Sequence, residues 1–338
     1  MKKNENDWKK QFSPEILKAA EEAIEAKRKL SLTSDVVLKM FFTSDLPESN
    51  WCLRKFIGAV IGRAVTEAKV INPELPPAYK GDKSSRLDIS CTLENGDRVD
   101  VEMQCTKEND DQRERALYYG GKLVSTALKK GRPYKELKKS YQIMITNYKE
   151  FDDDEFFTDF QMYSIKKKIT LSDREKIIFI ELPKLKKLLK CDFETLSALQ
   201  LWAIMLKYNQ NKEIMERLRT TTKFQEDNKM ADMVLDHISE DLHTWAVNLS
   251  REKFERDQIS AFTYARERGL KKGLNQGLKK GLEKGRKQGM KKGIALGIAE
   301  GSHTKAIEMA RSMIADNFLD STIAKHTGLT LEEIQKLK

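Results

Sequence analysis

Asp88, Glu102 and Gln104 are the residues whose types and spacing could do chemistry. They lie in two short alternating runs, residues 86–104, on either side of an Asn95-Gly96 pair. Asn-Gly between alternating runs is the strongest short-range hairpin signal. Apolar side chains take the odd positions Leu87, Ile89, Cys91, Leu93, Val99, Val101 and Met103; polar ones take the even positions Asp88, Ser90, Thr92, Asp100, Glu102 and Gln104. Side chains alternate faces along a strand, so each run has one apolar and one polar face. A two-residue turn would set the apolar set of one strand against the polar face of the other. A three-residue loop, Asn95 to Asp97, avoids this: it pairs Ser90 with Glu102 and Asp88 with Gln104, and predicts a bulged turn with Gly96 or a neighbour left-handed. Asp88, Glu102 and Gln104 then converge on one face.

An Asp and a Glu side by side on a strand pair, with a polar residue two past the Glu, suit a divalent cation. Mg²⁺ takes oxygen ligands and is usually held by one or two carboxylates plus phosphate and water. Such an ion can polarise a phosphodiester and deprotonate its bound water. The carbonyl of Met103 offers a further ligand. The competing reading is an acidic, solvated strand face that holds no metal.

The elements that must position this hairpin read as follows. Residues 7–30 form an amphipathic helix with Ser13-Pro14 at its start. A second helix begins at Thr33-Ser34-Asp35, with Val36, Val37, Met40 and Phe41 as its apolar stripe, and a third covers 49–65. After the hairpin come a helix over 111–130, stopped by Gly131-Arg132-Pro133, and buried strands over 141–145 and 177–182. Residues 184–265 read as wholly helical, with Trp202 and Trp245 as core anchors. The order predicts an α+β or α/β fold: a small mixed β-sheet flanked by helices, then a helical region.

From Gly269 to Gly301 every fourth residue is glycine, nine of the 17 in the chain. A period of four exceeds the 3.6 of a helix, so the stripe drifts by about 40° per step. Each glycine costs roughly 1 kcal/mol relative to Ala in a helix, which predicts a long, weak helix or linker ordered by a partner chain or a polyanion. A solvated spacer is the plain alternative. Residues 322–337 resemble a helix-turn-helix, with Gly328 in the turn and Ile334 packed behind. The acids Glu332 and Glu333 argue against tight docking in a DNA groove.

The chain carries +10 over 338 residues, and residues 266–292 hold eleven Lys or Arg against Glu267 and Glu283, a net of +9. The argument for a polyanion partner therefore belongs mainly to that segment. No apolar run reaches the roughly 18 residues of a membrane span, and the start lacks the apolar core of a signal peptide. Cys52, Cys91, Cys105 and Cys191 have no metal-ligand or redox spacing and read as reduced thiols of a cytoplasmic protein. The boundaries expected are an extension over 1–30, a core over 31–190, a helical region over 191–265, the repeat over 266–301 and a tail over 302–338.

An Asp followed about fourteen residues later by Glu-x-Lys is the PD-(D/E)xK nuclease signature, here Asp88 … Glu102-Met103-Gln104. Asp35-x-x-x-Lys39-x-Phe41, Leu87-Asp88, Val101-Glu102-Met103-Gln104, Arg115-Ala-Leu-Tyr118-Tyr119, Leu128-Lys-Lys-Gly131-x-x-Tyr134-x-x-Leu137 and Ile180-Glu181-Leu182-Pro183 follow in order. Over residues 31–265 the chain resembles the PD-(D/E)XK nuclease family transposases, or recombination-promoting nucleases. The resemblance implies a restriction-endonuclease-like fold and Mg²⁺-dependent cleavage of DNA, with Mn²⁺ as a substitute. It implies Asp88 and Glu102 as metal ligands, with the Met103 carbonyl beside them, and makes Asp35 a candidate third acid, against the alternative of helix capping. Gln104 stands where the wider superfamily has Lys. It can orient water through its amide but brings no positive charge, which leaves Lys107, Lys39 or Lys122 as sources of that charge. Arg115 reads either as a phosphate ligand or as the partner of a core acid. The partners expected are DNA and, through the glycine repeat, further copies of the chain, with no membrane. The competing function is an inactive nuclease fold that binds DNA or acts as a scaffold; cleavage of RNA by the same site is a third.

Overall fold

The structure is a computed structural model and describes residues 7–71, 89–106, 112–128 and 131–338. The chain divides into two compact units, 1–256 and 257–338.

In the first unit the hairpin is β2 (Ile89–Leu93) and β3 (Arg98–Gln104). Leu93 N donates to Asp97 O at 2.9 Å, Gly96 N donates to Leu93 O at 2.9 Å, and Gly96 has φ +85°. That left-handed value is the expected one, and glycine adopts it without a Cβ penalty. The register is a correction. Ser90 pairs with Asp100, not Glu102, and Ile89 pairs with Val101. The loop is Glu94 to Gly96 rather than Asn95 to Asp97, because Asp97 belongs to the hairpin. Its carbonyl closes the turn, and its Oδ1 accepts from Lys139 N at 3.0 Å while Oδ2 accepts from Asn95 Nδ2 at 2.8 Å. A shift of two residues preserves parity, so Ile89, Cys91, Leu93, Val99, Val101 and Met103 all remain buried in the main core.

Around this hairpin the sheet has six strands in the order β1-β2-β3-β4-β8-β5. The others are β1 (Ala68–Val70), β4 (Ser140–Thr146), β5 (Phe157–Phe160) and β8 (Glu175–Glu181); β6 (Tyr163–Ser164) and β7 (Ile169–Thr170) form a separate two-stranded ribbon. β3, β4 and β8 are parallel, and the other neighbours antiparallel. Parallel neighbours need a crossover, supplied between β3 and β4 by α4 (Gln112–Thr126). Ala116 of α4 packs with Met144 and Phe179, so α4 covers the sheet face that carries Glu102 and Gln104. The opposite face is covered by α1 (Pro14–Glu25), α2 (Asp35–Thr43) and α3 (Pro47–Ile61), together with α5 (Ala198–Tyr208), α6 (Lys212–Thr220) and α7 (Gln225–Glu240).

The fold is thus the mixed α/β architecture expected, with additions. β1, β5, β6 and β7 are two to four residues long, too short for alternation to register. Residues 184–265 are not wholly helical in the α sense: Leu182–Lys190 is a 3₁₀ segment with Pro183 in its first turn. Trp202 is fully buried, with its ring 5.3 Å from Phe224 and 6.3 Å from Phe56, and Trp245 is buried with Nε1 donating to Ser239 O at 2.8 Å. α8 (Leu242–Ala315) contains the whole glycine repeat in helical form. The residues between the glycines are mostly Leu, Lys, Glu, Gln, Met and Ala, which are strong helix formers. A Cβ built on any of these glycines meets nothing within 4 Å.

In the second unit, α9 (Asp320–Thr327) ends at Gly328 with φ +73°, and α10 (Leu331–Leu337) starts from a Thr330–Glu333 capping box. Ala310, Ile323, Leu329 and Ile334 form its small core, so Ile334 packs as the helix-turn-helix pattern expects. Among the described residues no helix is long and apolar enough to cross a membrane.

Candidate active site

β3 delivers Glu102 and Gln104 to its C-terminal end, two residues apart and therefore on one face. Glu102 is 2% exposed and Gln104 is buried, and Gln104 Nε2 donates to Glu102 Oε1 at 2.6 Å. The crossover that leaves β3 returns through α4, which brings the first turn of α4 over the same strand end. Arg115 on that turn places a guanidinium nitrogen 2.5 Å from Glu102 Oε1, and the guanidinium lies 5.8 Å from the Tyr119 ring centroid. Of the two roles open to Arg115, the structure shows the acid partner. The same carboxylate oxygen thus receives an amide and a guanidinium.

Deeper on this face, Asp100 is satisfied by its neighbours: Ser90 Oγ lies 2.5 Å from Oδ1, and Gln142 Nε2 donates to Oδ2 at 3.0 Å. Asp100 is therefore a structural acid, and Glu102 is the one at the strand end. Gln104 O accepts from Asn147 N at 2.9 Å, across to the segment that follows β4. Successive carbonyls of a strand point to opposite sides, so the Met103 carbonyl is directed away from β4, toward the side of β2. Asp88 lies outside the described residues, as does Lys107.

Asp35 lies beside Cys105, the residue that follows Gln104. The N-cap of α2 is Ser34, whose Oγ accepts from Val37 N at 3.4 Å, and Asp35 is the first helical residue. Its Oδ1 accepts from Val36 N at 2.7 Å, and its Oδ2 receives Arg251 Nε at 3.1 Å. Burial raises the Asp35 pKa, opposed by the Arg251 charge and these hydrogen bonds. Ligand atoms of Asp35, Cys105 and Glu255 lie within 4.8 Å of one another. This trio fits a hard cation poorly: the Arg251 guanidinium already bonds both Asp35 and Glu255 (3.2 Å), and burial pushes the Cys105 thiol far up, which keeps it protonated. The Glu102 carboxylate and Met103 carbonyl offer oxygen alone, the donor type a hard cation takes.

Of the other candidates, Lys39 is buried on α2 and Lys122 is exposed on α4. Tyr118 and Tyr134 are exposed. Sequence reading missed a second polar network. Glu181 at the end of β8 is fully buried; its Oε1 accepts from Glu150 N at 2.6 Å and Phe151 N at 3.1 Å, while Lys184 Nζ lies 2.5 Å from its Oε2. Arg113 on the first turn of α4 donates to Glu150 Oε1 at 2.8 Å and to its carbonyl at 2.9 Å. The network ties the loop after β4 to β8 and to α4. The only sequence signal for it was the Glu-Leu-Pro that ends β8.

Residues 32–265 match the model of the PD-(D/E)XK nuclease family transposases. The chain belongs to that family. No curated protein and no solved structure matches it. Membership as a PD-(D/E)XK nuclease family transposase points to a nuclease- or transposase-like function, with DNA as the implied substrate, and nucleases of this kind typically use divalent metals.

Proposed function

We propose that the protein is a divalent-metal-dependent DNA endonuclease that hydrolyses phosphodiester bonds in the cytoplasm, with Mg²⁺ as its ion and Mn²⁺ as a substitute, in the service of recombination. The observation that carries this reading is the buried Glu102 carboxylate fixed at the end of β3, with an amide two residues on. Glu102 and the Met103 carbonyl supply part of the ion's oxygen set. Asp88 is the second acid: it adjoins Ile89 in the chain, and Val101, the partner of Ile89, adjoins Glu102. Bound there, a divalent ion polarises a phosphodiester and activates water. Gln104 keeps Glu102 aimed through Nε2, and its amide oxygen can accept a hydrogen bond from a water and so orient it. Asp35 is a third acid of the site, and its pair with Arg251 must open for it to act there. The +9 segment over 266–292 tracks DNA phosphates, and the exposed Gly-Leu ridge of α8 joins copies of the chain.

A second reading is favoured by one observation. Glu102 Oε1 already receives two donors, and Gln104 brings no charge. An inactive nuclease fold would then bind DNA in a salt-sensitive way through 266–292 without cutting it. Digestion of supercoiled plasmid with Mg²⁺ or Mn²⁺ separates the two. The endonuclease cuts, and Asp88→Ala and Glu102→Ala abolish cutting; equal cutting by the double variant would remove the assignment. The same digests on RNA decide which sugar the site accepts.

A further inference from the structure

We propose that Arg115 is the fixed cation of this site, a positioning residue that does from α4 what a lysine at position 104 would do from β3. This rests on the nuclease reading of Glu102. A carboxylate at 2% exposure needs an opposite charge or several donors to remain buried. Gln104 gives one donor and no charge. The Arg115 guanidinium, 2.5 Å from the oxygen that Gln104 also touches, gives the charge. Its own placement is constrained: the side chain is 25% exposed, Tyr119 lies one turn along α4 against it, and α4 is fixed on the sheet by Ala116. Glu102 does not use up the guanidinium, because Nε is buried without an acceptor among the described residues. Arginine cannot lose its charge and matches flat oxyanions in two-pronged fashion. The site therefore meets a phosphodiester anion with a permanent positive charge beside its acid. Lys122 is exposed farther along α4, and Lys39 belongs to a helix that covers the opposite face.

The consequence is that the charge can be moved between positions 115 and 104. The test uses the full chain as Arg115→Met, Arg115→Lys and the double variant Gln104→Lys/Arg115→Met, with circular dichroism melts to confirm folding. In plasmid cleavage with Mn²⁺, Arg115→Met lowers kcat about 100-fold with KM within about threefold. Arg115→Lys retains more activity than Arg115→Met, and the double variant regains at least about tenfold. In calorimetric titration with Mn²⁺ alone, Arg115→Met binds the ion about tenfold tighter, since one like charge has gone, and the double variant returns toward the parent. Parent-like cutting by Arg115→Met overturns the proposal, as does a folded double variant that cuts no faster than Arg115→Met. A parent that cuts nothing overturns the nuclease reading instead, and the Mn²⁺ titration then decides alone: unchanged affinity in Arg115→Met overturns the charge role.

Discussion

Glu181→Ala should be among the most destabilising single substitutions in the first unit. The carboxylate is fully buried and holds three groups: the N–H groups of Glu150 and Phe151 and the ammonium of Lys184, whose side chain is also 0% exposed. Without it, the one acid left to Lys184 among the described residues is Asp153, 2.6 Å away and half exposed. Removing one partner of a buried ion pair costs about 3–5 kcal/mol, because the other charge is left behind. For a unit of this size each kcal/mol shifts Tm by about 2–4 °C, so the melting point should fall by about 10 °C. Glu181→Gln should fall between, since its amide can still accept from the two N–H groups but turns a donor toward the ammonium. The pH dependence has a definite sign. Burial works to lower the Lys184 pKa, but its bonds to Asp153 and Glu181 outweigh it and the pKa is raised. A raised lysine stabilises the fold fully below its ordinary pKa and stops doing so as pH climbs through the raised one. The urea midpoint of the parent should therefore drop above about pH 10.5, and that drop should shrink in Glu181→Ala. A Glu181→Ala protein melting within about 2 °C of the parent would refute the reasoning.

Three further outcomes are expected. Glu175 has its pKa raised by burial, and its Oε1 has no hydrogen-bond partner among the described residues. The fold thus favours its protonated form, so stability declines as pH rises past the ordinary glutamate range; Glu175→Gln should flatten that slope and raise Tm by a degree or two, by scanning calorimetry at pH 4 to 8. Gly96→Ala should cost about 1–2 kcal/mol in urea titration, since φ is +85° and a Cβ would lie 3.2 Å from Lys138 Cε. Gly277→Ala with Gly281→Ala should raise the helicity and melting temperature of α8 by circular dichroism, at about 1 kcal/mol per site, because nothing lies within 4 Å of either added Cβ.

The hairpin was legible because Asn95-Gly96 and strict alternation are local signals. Alternation fixes register only modulo two, and so the parity of Ser90 and Glu102 was right while their pairing was not. The turn was set by Asp97, whose partner Lys139 is 42 positions away and invisible to a local reading. The convergence of Arg115 on Glu102 needs the crossover to be folded before it can be seen. The same holds for Asp35: its sequence offered a metal acid or a cap, and its pairing with Arg251, 216 residues later, lies beyond a local reading. The short strands β5 to β7 lack the length for periodicity to register. In the glycine repeat, propensity per glycine argued against the helix that the intervening leucines and lysines sustain.

The strand end around Glu102 is proposed to cut DNA with a divalent ion. Its most direct measurement is the rate of supercoiled plasmid cleavage by the full chain in Mg²⁺ or Mn²⁺, beside Glu102→Gln and a chelator control. Glu102→Gln nearly preserves shape while removing the charge. The parent should cut, chelation should abolish the cutting, and Glu102→Gln should lower it at least about 100-fold. Cleavage that persists in Glu102→Gln at the parental rate would contradict it.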